Sequence, residues 1–245
     1  MSAVILGAAR TPIGSFLGGL APLPAPKLGA IAIKCALERA GVLADEVDEV
    51  FMGNVVQAGV GQAPARQAAL AAGIPNSVPC TTINKVCGSG LKSVMLAAAQ
   101  IAAGEARLVV AGGMESMSNA PYLARGLRAG LSLGEHKLED ANLTDGLMDA
   151  YGHGHMGLGG ELVAEQCGLG RDDQDRFALG SYEKALRAQR EGGYEGALRF
   201  LRSVVAAVKT ATFLCGCKAP ADLLRAPRII GPRLQQWIDC GKIMK

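Results

Sequence analysis

The stretch Asn84-Lys85-Val86-Cys87-Gly88-Ser89-Gly90-Leu91-Lys92 is the part of this 245-residue chain best suited to covalent chemistry. Its cysteine stands between a β-branched run, Thr81-Thr82-Ile83, and a run of small and apolar residues from Leu91 to Ala103. A strand followed by a helix is expected there, with Cys87 in the turn between them. A thiolate at the start of a helix is favoured by the positive end of the helix dipole and by free backbone N–H groups. Small residues after it let a carbonyl group come close, and the backbone N–H of the cysteine can stabilise a developing oxyanion. Spacing alone leaves a second reading open, since an unpaired cysteine also packs as a small buried hydrophobe. Cys35, inside an apolar helical pattern, reads that way, and so do Cys80 and Cys167.

The histidines are less informative. His153 and His155 lie two apart in a Gly-rich loop, where such residues are usually solvated. The pair could begin a metal site, but no third ligand stands near, so no metal is expected.

The elements that would position Cys87 alternate as strand and helix, which argues for βα units around a largely parallel sheet, an α/β class. Val4 to Ala8 reads as a strand and Lys27 to Ala40 as a helix stopped by Gly41. Glu49 to Val56 reads as a strand, Ala65 to Ala72 as a helix, and Arg107 to Ala111 as a buried strand. Met114 to Tyr122 and Gly126 to Gly134 are loop-like. Two helices are expected after them, Glu161 to Cys167 and Asp172 to Arg190.

Composition supports a packed core, with 49% hydrophobic residues and only 4% aromatics. The start of the chain turns to Gly7 and Arg10 before a signal-peptide core could form. No apolar run is read as approaching the roughly 18 residues of a spanning helix, so no membrane partner is expected. Seven cysteines without a framework spacing suit a reducing cytoplasm. Charge changes along the chain: residues 1–194 hold 16 Lys and Arg against 19 Asp and Glu, and residues 195–245 hold 9 against 3. The basic ending lacks interleaved aromatics and supporting ligands, so neither nucleic acid nor metal is expected there.

Several ordered motifs are similar to those of the thiolase family. Asn84 to Gly90 resembles that family's nucleophile motif, and Ala9-Arg10-Thr11-Pro12-Ile13-Gly14 its opening strand and loop. Gly53-Asn54-Val55-Val56-Gln57, Pro64-Ala65-Arg66-Gln67, Gly73-Ile74-Pro75 and Gly112-Gly113-Met114-Glu115-Ser116-Met117-Ser118 follow in the family's order. Asp145-Gly146-Leu147 and His155-Met156-Gly157 resemble lid residues that hold coenzyme A. The resemblance implies a layered thiolase-like fold with a first βα half over residues 1–118 and a partial lid over 119–194. A divergent basic tail covers 195–245, and the C-terminal half of the fold is absent.

The implied chemistry is acyl transfer from acyl-CoA to Cys87, then condensation with acetyl-CoA, or the reverse cleavage of a 3-ketoacyl-CoA. Leu147, His155 and Met156 would contact coenzyme A, which is substrate and product, so no cofactor is implied. A homodimer or tetramer is implied as well; the Met114 and Met117 pair reads as core or as subunit contact, the latter being preferred. The family's second half also supplies a His before Pro and a second Cys before a Gly-rich turn. This chain has only His136, His153 and His155, none before Pro, and Cys215-Gly216-Cys217-Lys218 does not match. The lid departs too, with Gly159, Gly160, Leu162 and Gly170 in place of its usual residues. The alternative is therefore a non-catalytic fragment with an unrelated or out-of-frame ending. A decarboxylating condensing enzyme would share the Cys but not the match to the lid.

Overall fold

Pro24 and Pro26 open the first helix, α1 (Ala25–Ala40), at positions where no backbone N–H is required. Gly41 ends it in the left-handed conformation that glycine adopts without steric cost. This helix buries Ala30, Ile33 and Leu37 and packs on α2 (Pro64–Ala71). The computed structural model describes residues 3–191. They fall into two compact units, one running to Met156 and one beginning at Gly157.

The first unit is an α/β layer built on three parallel strands: β1 (Glu49–Gly53), β2 (Cys80–Ile83) and β3 (Val109–Gly113), in the order β2-β1-β3. Val50, Phe51 and Met52 of the central strand are all buried, as expected for a strand covered on both faces. The register sets Gly53 beside both Ile83 and Gly113, so the three strands end level. Asn54, Asn84 and Met114 then leave the sheet at one edge, the carboxyl edge at which parallel sheets place their ligands.

Helix α3 (Ser89–Ala103) lies on β1 and β3 through Ser89, Ser93 and Ala97. Its first turn comes so close that a Cβ on Gly53 would stand 2.7 Å from the Ser89 backbone. At the other end of the sheet, Asp48 Oδ2 accepts the N–H groups of Arg107 at 2.7 Å and Leu108 at 2.9 Å, anchoring the approach to β3. After β3 a two-residue antiparallel ladder joins β4 (Tyr122–Leu123) and β5 (Glu139–Asp140). A wide helical turn, Leu143–Leu147, follows. The second unit contains most of α4 (Met156–Gln166) and all of α5 (Arg171–Arg190). Gly170 caps α5 without a side-chain hydrogen bond, and Asp172 and Asp173 fill its first turn.

Several expectations change. Val4 to Ala8 forms no strand; it lies against α1, where Arg39 donates to the Ala8 carbonyl at 2.9 Å and Gly7 abuts Ala36. Val4, Ile5 and Leu6 are left exposed. The first strand of the sheet stops at Gly53 because the Asn54 side chain ties the chain to Met114 and Glu115. Its neighbour β3 is half-buried, since no fourth strand stands beside it among the described residues. Cys35, Cys80 and Cys167 are half-buried. Val86–Ala103 is long and apolar enough to cross a membrane by length and composition, with mean hydropathy 1.3. Its glycines and serines hid that from the sequence reading. The basic tail at 195–245 lies outside the described residues.

Candidate functional site

The turn between β2 and α3 is built around a conformation its sequence disfavours. Val86 has φ +47°, in the left-handed region that costs an L-residue roughly 1–2 kcal/mol and suits a β-branched one least. Two side chains hold it there. Asn84 Oδ1 accepts the Val86 N–H at 3.0 Å. Ser89 Oγ accepts the Lys85 N–H at 2.8 Å and donates to the Val86 carbonyl at 2.6 Å. Ser89 is only 4% exposed, so this clamp works away from water. Cys87 is the next residue after the strained one, exposed, two positions before the first residue of α3.

Cys87 lines a cavity of about 420 Å³ at the carboxyl edge of the sheet. The other walls come from Asn54–Val56 after β1, Gly113–Glu115 at the end of β3, and Gly146–Leu147 of the wide turn. Met117 also contributes. Glycines at 53, 90 and 113 let the turn, the helix start and the strand ends converge.

Glu115 is the charged group on that wall. Its Oε1 accepts from Asn54 Nδ2 at 2.7 Å, and its Oε2 accepts the N–H groups of Val55 at 2.8 Å and Val56 at 3.3 Å. Burial pushes its carboxyl above the usual glutamate range, and the N–H donors of Val55, Val56 and Ser116 only partly offset this. Asn54 is 1% exposed; its amide also reaches the Met114 carbonyl at 3.3 Å, while its Oδ1 is buried without a hydrogen-bond partner.

Of the residues singled out from sequence, Cys87 and Leu147 meet at this cavity. His155 and Met156 do not line it; both are exposed, and His155 pairs with Met148 in a single antiparallel bridge. The loop between them is closed by Asp149, whose Oδ2 accepts the backbone N–H groups of Tyr151 and His153 and contacts His153 Nδ1 at 2.6 Å. Met114 is buried against Gly29 and joins the core, which corrects its reading as a subunit contact; the missing side chain at Gly29 leaves it room. Sequence reading missed Glu115 and Asn54 as a pair. The available signal was a lone acid just past an apolar strand ending in Gly-Gly. Among the described residues no three His, Cys, Asp or Glu side chains cluster to hold a metal.

Comparison with known proteins identifies the family of the chain that builds this turn. The profile of the family described as "Thiolase, N-terminal domain" matches residues 3–198. An acetyl-CoA acetyltransferase of Cupriavidus necator is 56% identical over 192 residues, covering 78% of this chain and 49% of that protein. One of Schizosaccharomyces pombe is 55% identical over 191 residues, with 78% and 48% covered. A mitochondrial acetyl-CoA acetyltransferase of Xenopus tropicalis is 56% identical over 189 residues, with 77% and 44% covered. The chain thus spans about half the length of the curated relatives it matches. A family profile covering most of the chain and relatives sharing more than half its aligned residues lead to one conclusion: this chain belongs to the thiolase family, carrying its N-terminal domain.

Proposed function

We propose that this chain carries the acyl-accepting half of a thiolase site, with Cys87 as the nucleophile. The observation that supports it most is an exposed cysteine on a clamped, strained turn, lining a cavity walled by glycines and apolar side chains. In the first step the Cys87 thiolate adds to the thioester carbonyl of an acyl-CoA. The tetrahedral intermediate then expels the CoA thiolate, which takes up a proton, and the acyl group stays on sulfur. In the second step acetyl-CoA loses an α-proton, its carbon attacks the acyl carbon, and the Cys87 thiolate leaves. The reverse sequence cleaves a 3-ketoacyl-CoA.

Leu147, on the cavity wall, would meet the pantetheine arm, and His155 and Met156, which do not line that cavity, are proposed as further contacts to coenzyme A. No resident metal or redox cofactor enters these steps. The second step needs a base and a second thiol. His136, His153 and His155 do not stand before Pro, and the family's second Cys motif is absent from these 245 residues. Full turnover therefore requires groups from outside them, and a non-catalytic role for the isolated chain is the reading this observation favours.

Incubation with acetyl-CoA followed by mass spectrometry should find acetyl on Cys87 and none in Cys87→Ser. Absence of acetylation at a Cys87 that iodoacetamide still alkylates would remove even the first step. Acetoacetyl-CoA thiolysis should be negligible; an appreciable rate abolished by Cys87→Ser would instead establish the whole cycle. The family's dimeric or tetrameric state is proposed with it and is checked by sedimentation.

A further inference from the structure

Three loops leave the carboxyl edge of the sheet; a carboxylate on the third grips the first, and the first in turn holds the second. We propose that Glu115 is a positioning residue for Cys87, acting through the Asn54–Val56 segment and Asn84. This inference rests on the reading of Cys87 as the acyl acceptor.

The links run without a gap. Glu115 fixes the loop after β1 through Asn54 Nδ2 and the Val55 and Val56 N–H groups. That segment holds the next loop twice: the Asn54 N–H donates to the Ile83 carbonyl at 3.0 Å, and the Val55 carbonyl accepts from Asn84 Nδ2 at 3.4 Å. The other end of the Asn84 amide, Oδ1, accepts the Val86 N–H at 3.0 Å. Val86 carries the left-handed backbone and is bonded to Cys87. The direction of the sulfur is therefore tied to a carboxylate in the loop after β3.

The residue type fits this role. A carboxylate only accepts, so its two oxygens can take a side-chain amide and two backbone N–H groups at once. Holding it half-buried beside a cavity is costly unless those donors are fixed. A strained turn persists only where its surroundings over-determine it, and Asn84 is one of the two side chains that do so.

A purely structural staple would make a different prediction. Its loss would lower the melting temperature but leave the chemistry of Cys87 unchanged in the folded protein. The test measures second-order rates at Cys87 with iodoacetamide and with acetyl-CoA, well below the melting temperature. Wild type, E115A, E115Q, N84A and E115A/N84A are compared, and half-buried Cys80 serves as the reference thiol. Each alanine variant should slow Cys87 about tenfold or more, a modest loss for a misplaced reacting group. The double variant should be no slower than the slower single, because both cut one chain of contacts. E115Q should recover part of the loss: its carbonyl can still accept the Val55 and Val56 N–H groups, and its N–H₂ can donate to Asn54 Oδ1, which has no partner in wild type, once the Asn54 amide turns over. Unchanged rates in N84A, multiplying losses in the double variant, or E115Q as slow as E115A would overturn the proposal. If E115A does not fold, N84A and E115Q still decide, as Asn84 is exposed. Should wild type resist acetyl-CoA yet accept iodoacetamide, the acyl-acceptor reading fails while the alkylation rates still decide on Glu115.

Discussion

At the scale of single residues, Ser89 does more than its small side chain suggests. Its hydroxyl closes the Cys87 turn from inside by accepting from Lys85 and donating to Val86. Ser89→Ala leaves the Val86 carbonyl and the Lys85 N–H without these partners. The Val86 carbonyl keeps the Ser89 N–H at 3.1 Å, and Lys85 and Val86 are both exposed, so urea unfolding should show a loss of about 0.5–1.5 kcal/mol, the usual net worth of a hydrogen bond. An unchanged midpoint would mean that water or a backbone shift replaces the clamp. The position of Cys87 was legible from sequence because everything that marks it is local: β-branched residues before it, glycines and a serine after it. The strain was not legible, since nothing in a Val announces a left-handed backbone. Nor was the grip of Glu115 on Asn54, which joins residues 61 positions apart.

At the scale of elements, the sheet is pinned at its other end by Asp48. The N–H groups of Arg107 and Leu108 hold its carboxyl below the usual aspartate range. A depressed folded-state value contributes stability above the unfolded value, near pH 4, and that contribution is lost as pH falls through the folded value. Wild type should therefore exceed Asp48→Asn in melting temperature at neutral pH, with the gap closing in acid below about pH 4. A gap independent of pH would assign the effect to shape alone. Helices α1, α2 and α3 were readable from apolar periodicity and glycine or proline punctuation. The failure was Val4 to Ala8, where a short apolar run identifies a segment able to pair but does not supply a neighbour to pair with. Likewise the lid motifs named Leu147, His155 and Met156 together, yet only Leu147 reaches the cavity wall. Motifs record order along the chain, and the wide turn and Asp149 loop decide which side chains arrive.

At the scale of the whole molecule, much apolar surface has no cover among the described residues. Leu91, Val94 and Met95 of α3 are exposed, as are Val4, Ile5 and Leu6, and both outer strands of the three-stranded sheet lack a further partner. Exposed apolar surface of this kind binds dyes and promotes association. Met95, 56% exposed, provides a direct check. Met95→Lys should reduce dye binding and concentration-dependent association while changing stability by no more than about 0.5 kcal/mol. A larger destabilisation would place Met95 in a packed environment. The strand order carries a kinetic consequence. The central strand is translated first, and its partners follow on either side of it later in the chain. Asp48 must wait for Leu108, 60 positions on, before the anchor at β3 can form. Such distant parallel pairing is slow. The most buried strand is therefore the first of the three to leave the ribosome, and it is enclosed only once β3 has followed.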